Sequence, residues 1–214
     1  MKNNGQVVKV IRPFGPSIAK TKMPKELVDT LNEYIDQIIP DEDKSVELNL
    51  GSKLAGHVKQ EFKLENNFIE SSGYNRFLAS AVLNWINLSI NKKIKEFKLI
   101  NTWVVRQFQN EYNPIHVHGG HISGVGYLKI PKTVGKNPQK EKKINYNGKI
   151  ELIHGSKQFL SNSTLPIEPE VGDFYFFPHY LMHTVYPFYE SLDERRSISF
   201  NAEIDKEIFN VFTS

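Results

Sequence analysis

The sequence predicts a mainly β protein with helices at its N-terminal end, and two observations carry that prediction. Apolar residues recur at steps of three and four as far as Lys95, and after Phe97 they recur at steps of two. The strand-like half also holds a His-x-His early, His116 and His118, and a lone His183 late. A run of strands carrying histidines in this order fits a double-stranded β-helix, a jelly-roll barrel whose mouth can hold a ligand.

Val7 to Ile11 is a short β-branched run closed by Arg12-Pro13-Phe14-Gly15-Pro16, the pattern of an edge strand ending in a turn. Pro24 opens a helix, where a first turn tolerates proline, and Leu27, Val28, Leu31, Tyr34, Ile35 and Ile38 mark its apolar face up to Pro40. Asp41 to Lys63 is weakly patterned and reads mostly as loop. Asn75 to Lys95 is helical again through Phe77, Leu78, Ala81, Val82, Trp85, Ile86 and Ile90. Trp103 to Gln109 and Gly124 to Ile130 then alternate as strands do, and Asp173 to Phe177 is an aromatic run stopped by Pro178. Arg195 to Ile204 alternates most cleanly. Arg195, Ser197, Ser199 and Asn201 share one face and Ile198, Phe200 and Ala202 the other, so this strand has a core on one side and water or a lined cavity on the other.

Between Pro131 and Pro169 lies an insertion with a strand expected at Lys149 to Ile153. Its lysines, Lys132, Lys136, Lys140, Lys142, Lys143 and Lys149, read first as a solvated loop and second as a contact for an acidic partner or substrate. The expected organisation is a single domain over 1–214. Within it, 1–100 is a helical packing and edge-strand region, and 101–214 is a double-stranded β-helix core interrupted at 131–169. At 214 residues, 39% hydrophobic and 24% charged, the chain suits one buried core. No apolar run approaches the roughly 20 residues that span a bilayer. Met-Lys-Asn-Asn-Gly-Gln leads into no apolar targeting segment, so a cytoplasmic location and no membrane partner are expected. The absence of cysteine excludes disulfides and thiolate zinc sites. A net charge of +3 is too small to imply nucleic acid.

His116 and His118 are one residue apart, so on an extended segment both imidazoles leave the same face and reach one ion, with His183 as a third ligand. Imidazole suits iron, copper, nickel or zinc, and three of them leave up to three positions open on a six-coordinate ion. Arg195-x-Ser197 stands where a barrel strand presents it to a carboxylate near that metal.

One set of motifs, in this order, carries a family resemblance: His116-x-His118, Ser123-Gly124-Val125-Gly126-Tyr127-Leu128, Gly172-Asp173 leading to Phe177-Pro178, Leu181-Met182-His183, and Arg195-Arg196-Ser197-Ile198-Ser199-Phe200-Asn201. Over Asn101 to Ile204 the chain resembles the iron(II)/2-oxoglutarate-dependent oxygenases related to prolyl hydroxylases, in a His-x-His variant. The resemblance implies a dioxygenase with Fe(II) and 2-oxoglutarate as cofactors and dioxygen as co-substrate. It makes His116, His118 and His183 the catalytic metal ligands, with His118 where most relatives carry Asp or Glu. Arg195, Ser197 and Tyr127 would hold 2-oxoglutarate. It implies hydroxylation, with a prolyl or other peptide or amino-acid residue as the first substrate candidate, and free small molecules as further ones. Trp103, Arg106, Gln107, Asn113 and His121 are rim candidates for substrate contact, with His179 beside them.

Two other readings compete. A cupin-type metalloprotein that does not use 2-oxoglutarate would share the His-x-His and the Gly172, Pro178, His183 spacing. Its usual Glu is missing from Gly119 to Ser123, and it assigns Arg195 no task. A non-catalytic jelly roll with a binding or structural role would leave the histidines incidental.

Overall fold

The computed structural model describes residues 8–11, 15–137 and 139–210. Val7 and the Arg12-Pro13-Phe14 part of the expected turn lie outside the described residues. In chain order come β1 (Lys9–Ile11), β2 (Ile18–Lys22), α1 (Lys25–Ile38), α2 (Glu42–Glu47), β3 (Gln60–Lys63), α3 (Asn66–Ser71), α4 (Tyr74–Ile90), β4 (Phe97–Gln107), β5 (Asn113–His116) and β6 (Ile122–Lys129). β7 (Ile150–Ile153), β8 (Thr164–Ile167), β9 (Asp173–Pro178), β10 (Met182–Val185), β11 (Arg195–Ile204) and α5 (Lys206–Phe209) follow.

The strands form two antiparallel sheets. One has the order β1-β2-β9-β6-β11-β4-β3, the other β5-β10-β7-β8. The helices pack on one face of the large sheet. Leu27, Val28, Leu31, Ile35 and Ile38 of α1 and Phe77, Leu78, Ala81, Val82 and Trp85 of α4 join Phe174, Phe176, Ile198, Phe200 and Ala202 in one core. On the other face Val125, Tyr127, Tyr175 and Phe177 meet Ile150 and Leu152 of the small sheet in a second core. This is the jelly-roll arrangement with N-terminal helices that the change of period predicts.

Alternation along β11 decides what faces what. Its even residues enter the helix-side core, while Arg195, Ser197 and Ser199 line the space between the sheets. Gly124 makes the tight centre of the barrel possible, because a Cβ there would stand 2.5 Å from the backbone oxygen of Tyr175 on the neighbouring β9. Arg196, fully buried, ties α1 to β11: its Nη2 donates to Asp36 at 2.7 Å, its Nη1 to Asn32, and its Nε to Glu194 at 2.6 Å.

Three expectations need correction. Residues 41–63 are not mostly loop. Asp41 caps α2 by accepting from the Lys44 N–H at 3.0 Å, a 3-10 turn follows at Gly51–Lys53, and β3 pairs with β4 through Phe62↔Val104. The second helix ends at Ile90 instead of Lys95, because Asn91 takes the left-handed conformation (φ 54°) and its N–H closes the last turn on Asn87. The insertion carries two strands, β7 and β8, where one was expected; they pair as a hairpin at the edge of the small sheet.

Candidate metal centre

β5 and β10 lie side by side in the small sheet with His116 and His183 directly opposite each other. That register places their ring centroids 4.3 Å apart. His118 follows two residues after His116, and its ring lies 5.2 Å from that of His116 and 4.8 Å from that of His183. One ligand atom from each of the three falls within 4.8 Å of the others, a spacing at which they can hold a single ion.

The rings are oriented in two ways. His116 Nδ1 is 2.7 Å from the Pro114 carbonyl and His183 Nδ1 is 2.9 Å from the Leu181 carbonyl, in each case the residue two before. A ring that donates from Nδ1 is neutral with its lone pair on Nε2, the state a metal requires. His118 is the reverse case. Among the described residues its Nδ1 is buried without a partner, while the Asn201 side chain lies beside the ring and acts on it. Asn201 is itself fixed by Ser123, whose Oγ donates to Asn201 Oδ1 at 2.7 Å. All three rings are held neutral. Burial first, then the neighbouring His183 and His116, push His118 down to about 3, and burial followed by His116 pushes His183 down to about 4. Burial also lowers His116.

Arg195 lines the same cavity, together with Ser197, Ser199, Trp103, Val105, Asn113 and Phe177. It is 2% exposed. Its Nη1 donates to Gln107 Oε1 at 3.0 Å, and its guanidinium carbon lies 5.1 Å from the centroid of the Tyr127 ring. Among the described residues Nε and Nη2 make no well-formed hydrogen bond, nor does the Tyr127 hydroxyl, which lies beside Arg195; burial first pushes that hydroxyl up to about 12, so it stays a donor. Buried donors left open are costly, and a carboxylate is the group that satisfies them. The donor set therefore fits the two groups expected from the sequence: three imidazole nitrogens for a transition metal, and two guanidinium N–H groups with a phenol for an anionic ligand.

The remaining candidates divide by strand parity. Trp103 lines the cavity, 5.5 Å from His118 between ring centroids, and Asn113 lines it from the start of β5. Gln107 faces inward but its Nε2 is spent on Glu111 O and Tyr186 O, so it orients Arg195 and is buried away from any substrate. Arg106 is on the opposite face of β4, paired with Glu194 at 2.8 Å and bonded to Gln60; alternation along the strand turns it from the cavity. His121 is also turned away. Its Nδ1 accepts from the Ile204 N–H at 3.0 Å and its ring stacks on Phe209. Asn201 and Ser123, which act on His118, were not singled out as site residues, although the polar face of β11 includes Asn201.

The fold is a double-stranded β-helix in which three rings able to hold a metal and a buried guanidinium line the same cavity. Residues 101–201, just under half of the chain, match the family model described as "Putative 2OG-Fe(II) oxygenase". The matched segment contains the three histidines, Tyr127, Arg195 and Asn201. Over that segment the chain is therefore similar to the 2OG-Fe(II) oxygenases, oxidoreductases that use Fe(II) and 2-oxoglutarate with dioxygen as co-substrate.

Similar solved structures include a Pseudomonas putida prolyl-4-hydroxylase (TM-score 0.53, 16% identity, covering 86% of this chain and 91% of that one). A viral collagen prolyl hydroxylase from Paramecium bursaria Chlorella virus-1, in complex with 2OG, has a TM-score of 0.50 at 14% identity, covering 86% and 94%. A Burkholderia pseudomallei oxidoreductase of the 2OG-Fe(II) oxygenase family has a TM-score of 0.50 at 11% identity, covering 86% and 83%. At these identities the likeness is one of fold. No curated protein sequence matches the chain.

Proposed function

We propose that this chain hydroxylates a peptide or amino-acid residue, a prolyl residue being the first candidate, with His116, His118 and His183 holding Fe(II) and Arg195 holding 2-oxoglutarate. One observation carries the reading: three neutral imidazoles and a buried guanidinium with two open N–H donors line one cavity. The prolyl candidate draws on two of the similar solved structures, which are prolyl hydroxylases.

His116 and His183 present Nε2, because their Nδ1 atoms face backbone carbonyls. His118 presents Nδ1. That atom is bonded to Cγ, as a carboxylate oxygen of Asp would be, so the ring offers a nitrogen at the reach of the Asp it replaces. Asn201 Oδ1 has two lone pairs and can accept from both Ser123 Oγ and His118 Nε2–H, which fixes the tautomer. Arg195 donates Nε–H and Nη2–H to the distal carboxylate of 2-oxoglutarate while Gln107 holds Nη1, Ser197 offers a hydroxyl from the cavity wall, and Tyr127, opposite Ser197 on β6 and beside Arg195, offers another. When bound, Fe(II) with 2-oxoglutarate and dioxygen supplies the oxidising power, coupling decarboxylation to succinate with insertion of one oxygen atom into a C–H bond. Trp103 and Asn113 shape the cavity wall nearest the His118 ring and the start of β5, where the substrate C–H bond is to be placed.

The test is turnover of proline-containing peptides with Fe(II) and 2-oxoglutarate, following succinate release and the peptide mass. Succinate formed in step with a gain of one oxygen atom on proline supports the reading. Oxidation of another residue type with proline untouched overturns the prolyl candidate. Absence of any 2-oxoglutarate-dependent succinate release overturns the assignment of Arg195.

A further inference from the structure

The lysine-rich insertion, which hydroxylation leaves without a task, builds a second cavity on the other side of Arg195. Asn145 Nδ2 donates to Gly135 O at 2.8 Å, Asn147 Nδ2 to Val134 O at 3.1 Å, and the Tyr189 N–H to Val134 O at 3.1 Å. Tyr186 N–H donates to Lys149 O at 2.9 Å, so the insertion is fastened to the segment just before β11 at several points. The result is a walled pocket of about 570 Å³ lined by Lys132, Lys143, Lys149 and Arg195 among neutral residues. Its lining holds one carboxylate, Glu168, already paired with Lys149 at 3.0 Å. By the same measure the space between the histidines and Arg195 is about 40 Å³.

Arg195 belongs to both linings. Arg195 thus borders both a narrow space that ends at the rings and a roomy basic one that opens outward, and among the described residues two of its donors make no well-formed hydrogen bond. A field of one sign at the mouth of a low-dielectric pocket concentrates an oppositely charged solute and speeds its capture. We propose that the basic pocket is the port by which the 2-oxo diacid reaches Arg195 and by which the diacid product leaves, so that the C–H substrate has the histidine side to itself. This rests on the reading that Arg195 holds 2-oxoglutarate. The solute is a small dicarboxylate dianion: the lysines attract it at a distance, and Arg195 receives one of its carboxylates as it passes from the outer to the inner space.

The test uses the Fe(II)-loaded protein without oxygen and follows the rate at which added 2-oxoglutarate develops the weak visible band of a metal-chelated 2-oxo acid. Lys132→Gln/Lys143→Gln should slow association roughly fivefold or more at low salt and flatten its salt dependence. Lys92→Gln/Lys93→Gln, which removes the same charge from exposed positions elsewhere, should leave the rate as it was. Ile144→Trp, a bulky change at a half-exposed lining residue, should slow association with every charge kept. Equal rates for the wild type, the port variant and Ile144→Trp would overturn the port while leaving the Arg195 reading intact. Equal slowing by both lysine pairs would also overturn it, since net charge alone would then be the cause. No band in the wild-type protein would remove the Arg195 reading and the port together.

Discussion

Glu61→Gln isolates the cost of one buried carboxylate. Glu61 lies on β3 opposite Val105, so its side chain points to the cavity face of the large sheet, and it is 0% exposed. Among the described residues neither carboxylate oxygen has a hydrogen-bond partner. Burial, and second the charge of Glu111, push its pKa up from the ordinary 4.5 to about 7. The folded state therefore binds this proton more tightly than the unfolded chain does. Between those two values the unfolded chain has released the proton and the folded protein keeps it, so stability falls as pH rises through the window and stays low above it. Raising the pKa from 4.5 to about 7 corresponds to about 3 kcal/mol, nearly all expressed at pH 8 and less than about 1 kcal/mol at pH 5. Gln has the same shape and no titration. Its stability relative to the parent should thus rise by about 2 to 3 kcal/mol between pH 5 and pH 8, a relative gain in Tm of about 5–10 °C for a chain of this size. Urea denaturation of both proteins at the two pH values, with metal withheld, measures it. A difference that does not change with pH would refute the reasoning, because any fixed cost of the Gln amide cancels in the comparison.

The other predictions concern the site and its frame. His118→Asp should retain stoichiometric Fe(II), because the carboxylate oxygen takes the place of Nδ1; loss of metal in His118→Asp with retention in His118→Ala would remove His118 from the ligand set. Asn201→Ala frees the His118 ring and should weaken metal affinity by about 10- to 100-fold in a competitive chelator titration, with folding preserved. Arg196→Leu removes the cation that joins Glu194 to Asp36, though Glu194 keeps Arg106 and Asp36 keeps Lys129. It should cost about 1–3 kcal/mol in urea denaturation, an unchanged midpoint counting against the tie between α1 and β11.

The parts of this fold that alternate or repeat over many residues are legible in the sequence. β11 reads correctly in its bounds, because alternation over its length marks one strand with a polar and an apolar face, although its register shifts once against each neighbour. α1 reads nearly as well, from Pro24 and a continuous apolar face. The segment 41–63 does not: α2 buries none of its six residues and is held by its Asp41 cap, while β3 is only four residues long with Phe62 as its one buried hydrophobic. Such elements exist because a neighbour accepts them, and no local period announces them. Within the site the clustering of the three histidines was recognisable from spacing, whereas Trp103 and Arg106, read alike as rim candidates, are separated only by the observed pairing of β4, which turns Trp103 into the cavity and Arg106 away from it. Asn201 was visible only as one polar residue on a polar face. Its contact with His118 depends on where β6 and β11 meet, through Ser123↔Asn201, and that is a fact of pairing.

Arg195 and Arg196 show why burial alone does not locate function. Adjacent in sequence and equally hidden, at 2% and 0% exposure, they point to opposite faces of β11. Arg196 bonds to Glu194, Asp36 and Asn32 through all three of its nitrogens, so its charge is answered within the protein and its work is to hold a helix to a sheet. Among the described residues Arg195 has only neutral neighbours to answer it, a hydrogen bond to Gln107 and the ring of Tyr127, and no carboxylate. A cation desolvated to that degree without a counter-charge is destabilising in the free protein, and burial pulls its pKa down accordingly. An anion bound there would recover that cost, so of the two the unanswered arginine is the one suited to receive a ligand.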